Sequence, residues 1–302
     1  MPSRTVHLSE NGMRLDRFMR IHFPDVPFGM VSSLTRRGKL TVDDCAAQAD
    51  QSLKAGQVVS IAHREKQPKA ADPSKMRARH EALSDADRSF VQGMLLYEDE
   101  DIFIFDKPSG LAVHPGSKIT RDLDSLLVRY VSSVVERPVL AHRLDKDTSG
   151  VLVAAKRKDI AQALGKAFAG RDVEKEYRAI VSGKPTSDII DIAIAKKDTP
   201  KGGRMVAVDP KAPDALSALT RVSIVATSPA ATHVALFPET GRQHQLRVHM
   251  ALVGHPILGD ALYGDPASAP RLMLHAYRLR FKHPSRGWMN IEAPLPQGFE
   301  DL

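Results

Sequence analysis

Apolar positions fall into short blocks separated by polar turns, and the blocks predict a strand-rich chain with few helices. Residues 14–23 (RLDRFMRIHF) place Leu15, Phe18, Met19 and Phe23 near one face of a short helix, with Arg14, Arg17 and Arg20 at three-residue spacing on a neighbouring face. Pro24 and Pro27 break that pattern, and a second helix is predicted from about Phe28 to Arg37, ended by Gly38. Lys39–Val42 and Val58–Ile61 read as strands, with Gly56 in the turn between. Residues 63–90 are polar, charged and poor in large apolar side chains, which predicts a linker between a domain at 1–62 and one at 91–302. Its first part is basic (Arg64, Lys66, Lys69, Lys75, Arg77, Arg79) and suits either an arm on phosphates or a solvated connection.

Beyond Val91 the alternation strengthens. Met94–Tyr97 and Ile102–Phe105 flank the acidic Glu98–Asp101 as a hairpin, and Lys107–Gly110 reads as a turn. Residues 158–170 read as a helix, with Ile160, Leu164 and Phe168 at four-residue steps and Gly170 as the stop. Strands are predicted at about 175–182, 188–194, 204–208, 218–226 and 232–237, a helix at 242–252, and closing strands at about 272–281 and 288–293. The pattern predicts an α+β fold class, with a mixed or antiparallel sheet in the large domain and a small α/β domain ahead of it.

Composition narrows the partner. The chain has 302 residues, enough for two domains, and 42% hydrophobic residues. Its net charge of +7 and pI of about 9.5 point to a polyanion. The single cysteine, Cys45, excludes an internal disulfide and fits a reducing compartment. The first residues lack the apolar core of a signal peptide, and no apolar run is long enough to span a bilayer. A cytoplasmic protein without membrane contact is expected.

The richest polar cluster, Ala141-His142-Arg143-Leu144-Asp145-Lys146-Asp147-Thr148-Ser149-Gly150, lies between two apolar runs, Val139-Leu140 and Val151–Ala155. It reads as a loop between core strands, where chemistry tends to sit. Arg143 and Lys146 flank Asp145 and favour its charged form. Asp147–Gly150 would equally suit a plain turn.

His142-Arg143-Leu144-Asp145 followed by Thr148-Ser149-Gly150 resembles the signature around the catalytic aspartate of the RluA-type pseudouridine synthases. Four further stretches agree in order: Phe105–Pro115, Lys175–Ala179, Thr240–Met250, and Gly254–Asp260 with Leu274-His275-Ala276. The resemblance implies an enzyme that isomerises uridine in RNA, breaking C1′–N1 and joining C1′ to C5 of the same base, with no cofactor and no metal. It implies Asp145 as the catalytic carboxylate, as nucleophile at C1′ or as base at the sugar. Tyr177 follows as the active-site tyrosine, to stack on uracil and help remove the C5 proton, and Arg247 as the aspartate's partner. Arg143 would fill the space left by an extruded base, whose unstacking costs roughly a few kcal/mol. Arg242 suits a phosphate, and His142 and Lys107 join them as substrate contacts. Residues 1–62 resemble an S4 domain, with Arg14, Arg17, Arg36, Arg37 and Lys39 as RNA contacts. They depart from its usual pattern at Phe28-Gly29-Met30, where Ser-Arg is common, and at Asp43-Asp44, where Asn-Gly is usual.

Large-subunit ribosomal RNA of the 23S type is the expected substrate, with the chain a monomer. The alternatives are a tRNA substrate or a non-catalytic RNA-binding assembly factor. Asp145-Lys146-Asp147 also resembles the start of an aspartyl-phosphate phosphatase motif, but His142 and Arg143 interrupt the apolar strand that motif requires, and no β–α series follows. His142, His244 and His249, spread over a loop and a helix without a nearby Cys or Glu set, suggest structural hydrogen bonds more than metal.

Overall fold

In the first sixty residues, apolar alternation on short strands and one amphipathic helix suffices for a small sheet with a single covered face. The computed structural model describes residues 3–23, 26, 31, 34–35, 38–48, 50–61, 83–116, 119–131, 137–170, 172–199 and 202–299. They fall into two units, Met1–Met76 and Arg77–Leu302. In the first, β1 (Ser3–Thr5), β2 (Leu40–Val42), β3 (Cys45–Ala46) and β4 (Val58–Ile61) form an antiparallel sheet in the order β1-β4-β2-β3. Helix α1 (Leu15–His22) buries Leu15, Phe18 and Met19 in one cluster with Leu40, Val42 and Val59. Its other face leaves Arg14, Arg17 and Arg20 exposed, Arg14 paired with Asp16 at 2.9 Å. Asp43 and Asp44 both take positive φ (51° and 62°) in the two-residue turn joining β2 to β3. That is the backbone for which Asn-Gly is usually chosen. Asp43 compensates by accepting from the Val58 amide at 2.8 Å. Most of the helix expected at 28–37, including Arg36 and Arg37, lies outside the described residues, as does the basic stretch from Arg64 to Arg79.

The second unit is built on a ten-stranded mixed sheet. Its strands are β5 (Leu95–Glu98), β6 (Ile102–Lys107), β7 (Val139–Leu140), β8 (Ser149–Ala155), β9 (Glu174–Ser182), β10 (Ile189–Asp191), β13 (Leu219–Thr227), β14 (Ala231–Pro238), β15 (Leu274–His283) and β16 (Gly287–Glu292). β11 (Ile194–Thr199) and β12 (Gly202–Ala207) form a separate hairpin. The order is β10-β13-β14-β9-β15-β8-β6-β5, with β16 on β15 and β7 on β8. Only the β15–β8 pair is parallel among the described strands. Four helices accompany the sheet: α2 (Asp85–Gly93), α3 (Leu123–Tyr130), α4 (Lys158–Ala169) and α5 (Gln245–Leu252). No described helix is long and apolar enough to cross a membrane.

β8 is buried at every position. Leu152 and Ala154 pack with Phe103, Phe105, Val91 of α2 and Leu126 of α3. Val151, Val153 and Ala155 pack with Ile102, Ile104 and Ile160 of α4 on the other side. The loop that opens β8 is thus anchored at the centre of the sheet. Gly150 makes this possible. It sits at φ +109° opposite Ala276, and a Cβ there would overlap the Ala276 carbonyl.

Two features near the start of this unit differ from the sequence expectation. The segment expected as linker to residue 90 is structured from Leu83: Ser84 caps α2 by accepting from the Asp87 amide at 3.1 Å, and Leu83 and Val91 enter the core. Helix α3 was not foreseen. Asp122 caps it through the Ser125 amide at 2.9 Å, and Leu123, Leu126 and Leu127 are buried.

Candidate active site

Residues 141–148 join β7 to β8, and neighbouring motifs fix their backbone. Leu144 is buried, which turns Asp145 toward the surface. Lys107, fully buried, donates from Nζ to the carbonyls of Pro108, Leu111 and Lys146, each at 2.9 Å. Gly110 donates its amide to the Lys146 carbonyl at 3.0 Å, and Ser109 Oγ to that of Asp147 at 2.7 Å. The Lys107–Gly110 turn therefore staples the Asp145 loop. Burial pushes Lys107 down to about 7, against the charges of Asp147, Asp145 and Asp106. Three carbonyls match the three N–H groups of an ammonium. Expected as a substrate contact, Lys107 is instead under the loop, with no exposed surface and no free donor.

Opposite this loop stands α5. Thr240 Oγ1 accepts from the Leu219 amide and donates to Gln245 Oε1 (3.1 and 2.7 Å). Gln245 Oε1 also accepts from the Arg242 amide at 3.1 Å, and its Nε2 donates to the Leu219 carbonyl and Thr220 Oγ1, both at 3.0 Å. This buried amide, with every hydrogen-bonding site filled, ties the helix start to β13 and shortens the helix expected at 242–252 to 245–252. Two residues on, Arg247 donates from Nε and Nη2 to the two carboxylate oxygens of Asp260, both at 2.7 Å. Its Nη1 reaches Asp145 Oδ2 at 3.5 Å. Asp260, fully buried, also accepts from the Leu262 and Tyr263 amides (2.8 and 3.1 Å). The fork is aimed by Asp260, and the remaining nitrogen is presented to Asp145.

Tyr177 on β9 lies between Leu236 of β14 and Ala276 of β15, and its ring joins the two largest cores. Burial, and then the charge of Asp145, push its hydroxyl well above the usual range, so it is a protonated phenol at neutral pH. A small crevice beside it is lined by His142, Lys175 and Arg278. Arg143 is exposed and forms no ion pair among the described residues. Arg242 is exposed and donates from Nε to the Ser217 carbonyl at 3.1 Å. His142 stacks on Phe168 (4.5 Å between centroids), and its Nε2 accepts from the Val153 amide at 3.1 Å. Burial, helped by Lys175, pushes it down to about 3, so it is neutral and braces the loop. His249 pairs with Thr220 Oγ1 and the Ile192 carbonyl (3.0 and 3.1 Å). Among the described residues no group of three His, Cys, Asp or Glu could hold a metal.

Asp145, Arg247 and Tyr177, separated by up to 102 residues in sequence, are thus brought together. Sequence reasoning missed Asp260 and Tyr263, and took His244 for a structural hydrogen-bonding residue without placing it beside Asp145. Asp260 stands in a stretch already singled out, but after Gly259 it reads as a turn acid; Tyr263 lies just beyond that stretch.

The RNA pseudouridylate synthase family pattern matches residues 101–252, which include the Asp145 loop, β9 and α5. The chain is 32% identical to the ribosomal large subunit pseudouridine synthase C of Vibrio parahaemolyticus, over 96% of this chain and 92% of that one. It is 33% identical to the protein of the same name from Escherichia coli, with the same coverage. Among solved structures, the human RNA pseudouridylate synthase domain containing 4 superposes with a TM-score of 0.59 at 28% identity, covering 74% of this chain and 95% of that one. With this sequence likeness over nearly its whole length and a shared fold, the chain belongs to the RluA family of RNA pseudouridine synthases.

Proposed function

We propose that this pseudouridine synthase acts on large-subunit ribosomal RNA, and that Asp145, Tyr177 and Arg247 carry the reaction. The observation that supports the site most directly is the Asp145 carboxylate, one-fifth exposed, set against a guanidinium that is itself locked by buried Asp260. The reaction breaks C1′–N1, forms C1′–C5, removes the C5 proton and leaves a proton on N1, so nothing is added from outside. One carboxylate, as nucleophile at C1′ or as base at the sugar, meets that need. Arg247 holds it in place. Tyr177, a protonated phenol, serves by stacking on the base and donating a hydrogen bond; as a base for the C5 proton it would have to pass its own proton on. Exposed Arg143, next but one to Asp145, suits the gap left by an extruded nucleotide. The name carried by the bacterial relatives supports ribosomal RNA as substrate.

The test is to map pseudouridines in ribosomal RNA from cells lacking the protein. A large-subunit position should lose its modification and regain it with the wild-type gene but not with Asp145→Asn. An unchanged large-subunit map would overturn the substrate assignment.

The first unit reads as an S4-like RNA module, with Arg14, Arg17 and Lys39 on its surface as contacts. Removing residues 1–62 should weaken RNA binding. The slope of log K against log salt should also become shallower, by about 0.7–0.9 for each lost phosphate contact. An unaltered slope in a filter-binding titration would refute the module's role.

A further inference from the structure

His244 precedes α5 at φ 53°, ψ 16°, a left-handed geometry uncommon for residues other than glycine, although histidine, like asparagine and aspartate, adopts it more readily than most. Such outliers concentrate where function over-determines them. Here the turn carries the imidazole across to the Asp145 loop, where Nε2 lies 3.8 Å from Asp145 Oδ2. Its Nδ1 is 2.9 Å from the Tyr263 hydroxyl, and that oxygen already accepts the Met205 amide of β12 at 3.1 Å.

We propose that His244 is a positioning residue for Asp145, held in one tautomer by Tyr263. This rests on the reading of Asp145 as the reacting carboxylate. The hydrogen-bond inventory favours one tautomer. Tyr263 has one proton to donate and already receives one from Met205. If Nδ1 carried a proton, both protons would point at the phenolic oxygen, leaving the tyrosine O–H without an acceptor among the described residues. Every group is satisfied only if Tyr263 donates to Nδ1, which leaves the imidazole proton on Nε2, facing Asp145.

Two donors then converge on a single oxygen. Arg247 Nη1 and His244 Nε2 both address Oδ2, at 3.5 and 3.8 Å, and Oδ1 accepts no hydrogen bond among the described residues. The carboxylate is gripped by one oxygen and offers the other to the ribose. A single anchor would leave it free to rotate about χ2; two anchors from α5 and its preceding turn restrain it.

The groups facing the imidazole favour its neutral form. Burial lowers its pKa first. Asp145 and Asp260 oppose that, while Arg247 and Arg143 reinforce it, and the net direction is down. Protonation at low pH would put a proton on Nδ1 and reverse the bond to Tyr263, which would then have to turn its own proton away. It would also place a second full charge against Oδ2 and make the carboxylate a poorer base or nucleophile. The wild-type enzyme should therefore lose turnover on an acid limb below about pH 6.5.

The experiment is single-turnover pseudouridine formation on a ribosomal RNA transcript between pH 5 and 8, with RNA binding measured beside it. His244→Ala should lower the chemical rate about 100-fold, the scale of a small misplacement of a reacting group, with the RNA Kd within about threefold. His244→Gln, whose amide N–H reaches near the Nε2 position, should recover to within about tenfold of wild type and should lose the acid limb. Tyr263→Phe, which keeps the ring beside Arg247 and removes only the hydroxyl, should lower the rate about tenfold and move the limb, although that hydroxyl makes no hydrogen bond to the carboxylate. The proposal fails if His244→Ala turns over like wild type, if the whole loss lies in Kd, or if His244→Gln keeps the wild-type pH profile. Should His244→Ala not fold, the His244→Gln profile decides alone. An inactive wild-type protein would instead overturn the reading of Asp145, which Asp145→Asn tests separately.

Discussion

Asp145→Asn should leave RNA binding within about threefold of wild type and abolish pseudouridine formation, a loss on the order of 10⁴-fold or more of the kind seen when a sole reacting group is removed. The substitution is isosteric, so Leu144 keeps its place in the core and the backbone bonds to Lys107 and Gly110 persist. Arg247 keeps its fork on Asp260. What disappears is the negative charge that serves as nucleophile or base. An amide does neither at neutral pH. Removing that charge also takes a repulsive group away from RNA phosphates, so binding has no reason to weaken. Nucleoside analysis of digested RNA after prolonged incubation reads the first quantity, and filter binding reads the second. A parallel fall in both would mean that Asp145 docks the RNA and does not carry the reaction.

Most of the strands along the chain and the position of the Asp145 loop were legible because both depend on local signals. β8 carries the five-residue apolar run Val151–Ala155 with the polar cluster just ahead of it, and that pattern fixes a core strand with a loop at its mouth. Asp145, Arg247 and Tyr177 could be named through the resemblance of their surroundings, but their mutual geometry could not. Arg247 meets Asp145 across 102 residues of sequence, and only the folded unit brings them together. Lys107 was misjudged for a related reason. A lysine before Pro-Ser-Gly reads as a surface cation, and nothing local reveals that three carbonyls converge on its ammonium. Asp260 was missed, and His244 was read as a structural hydrogen-bonding residue but not placed at the site, because their contacts are tertiary. Helix α3 did leave a local trace, Asp122 ahead of Leu123, Leu126 and Leu127, but eight residues give little periodicity to detect.

Asp260→Ala should destabilise the catalytic unit by about 3–5 kcal/mol, the usual consequence of removing one partner of a buried ion pair. Arg247 would keep its charge at 6% exposure with only the 3.5 Å contact to Asp145, and the Leu262 and Tyr263 amides would lose their acceptor. The pH dependence has a defined sign. Burial alone would raise the Asp260 pKa, but the hydrogen bonds and charge of Arg247, with the two amides, hold it below the usual carboxylate range. A depressed pKa contributes stability that is fully present above the unfolded value of about 3.9 and is lost as pH falls through the folded value. The gap in urea midpoint between wild type and Asp260→Ala should therefore be full at pH 7 and shrink below about pH 4; a gap constant with pH would mean the carboxylate is not the source of the stability. Function should separate from stability in the double variant Arg247→Met with Asp260→Leu. Replacing both charges by apolar groups of similar size can recover much of a buried pair's contribution, so the fold should return toward wild-type stability. Turnover should not return, because nothing then grips Asp145 from α5. A double variant with both properties restored would show that Arg247 serves the fold and not the carboxylate.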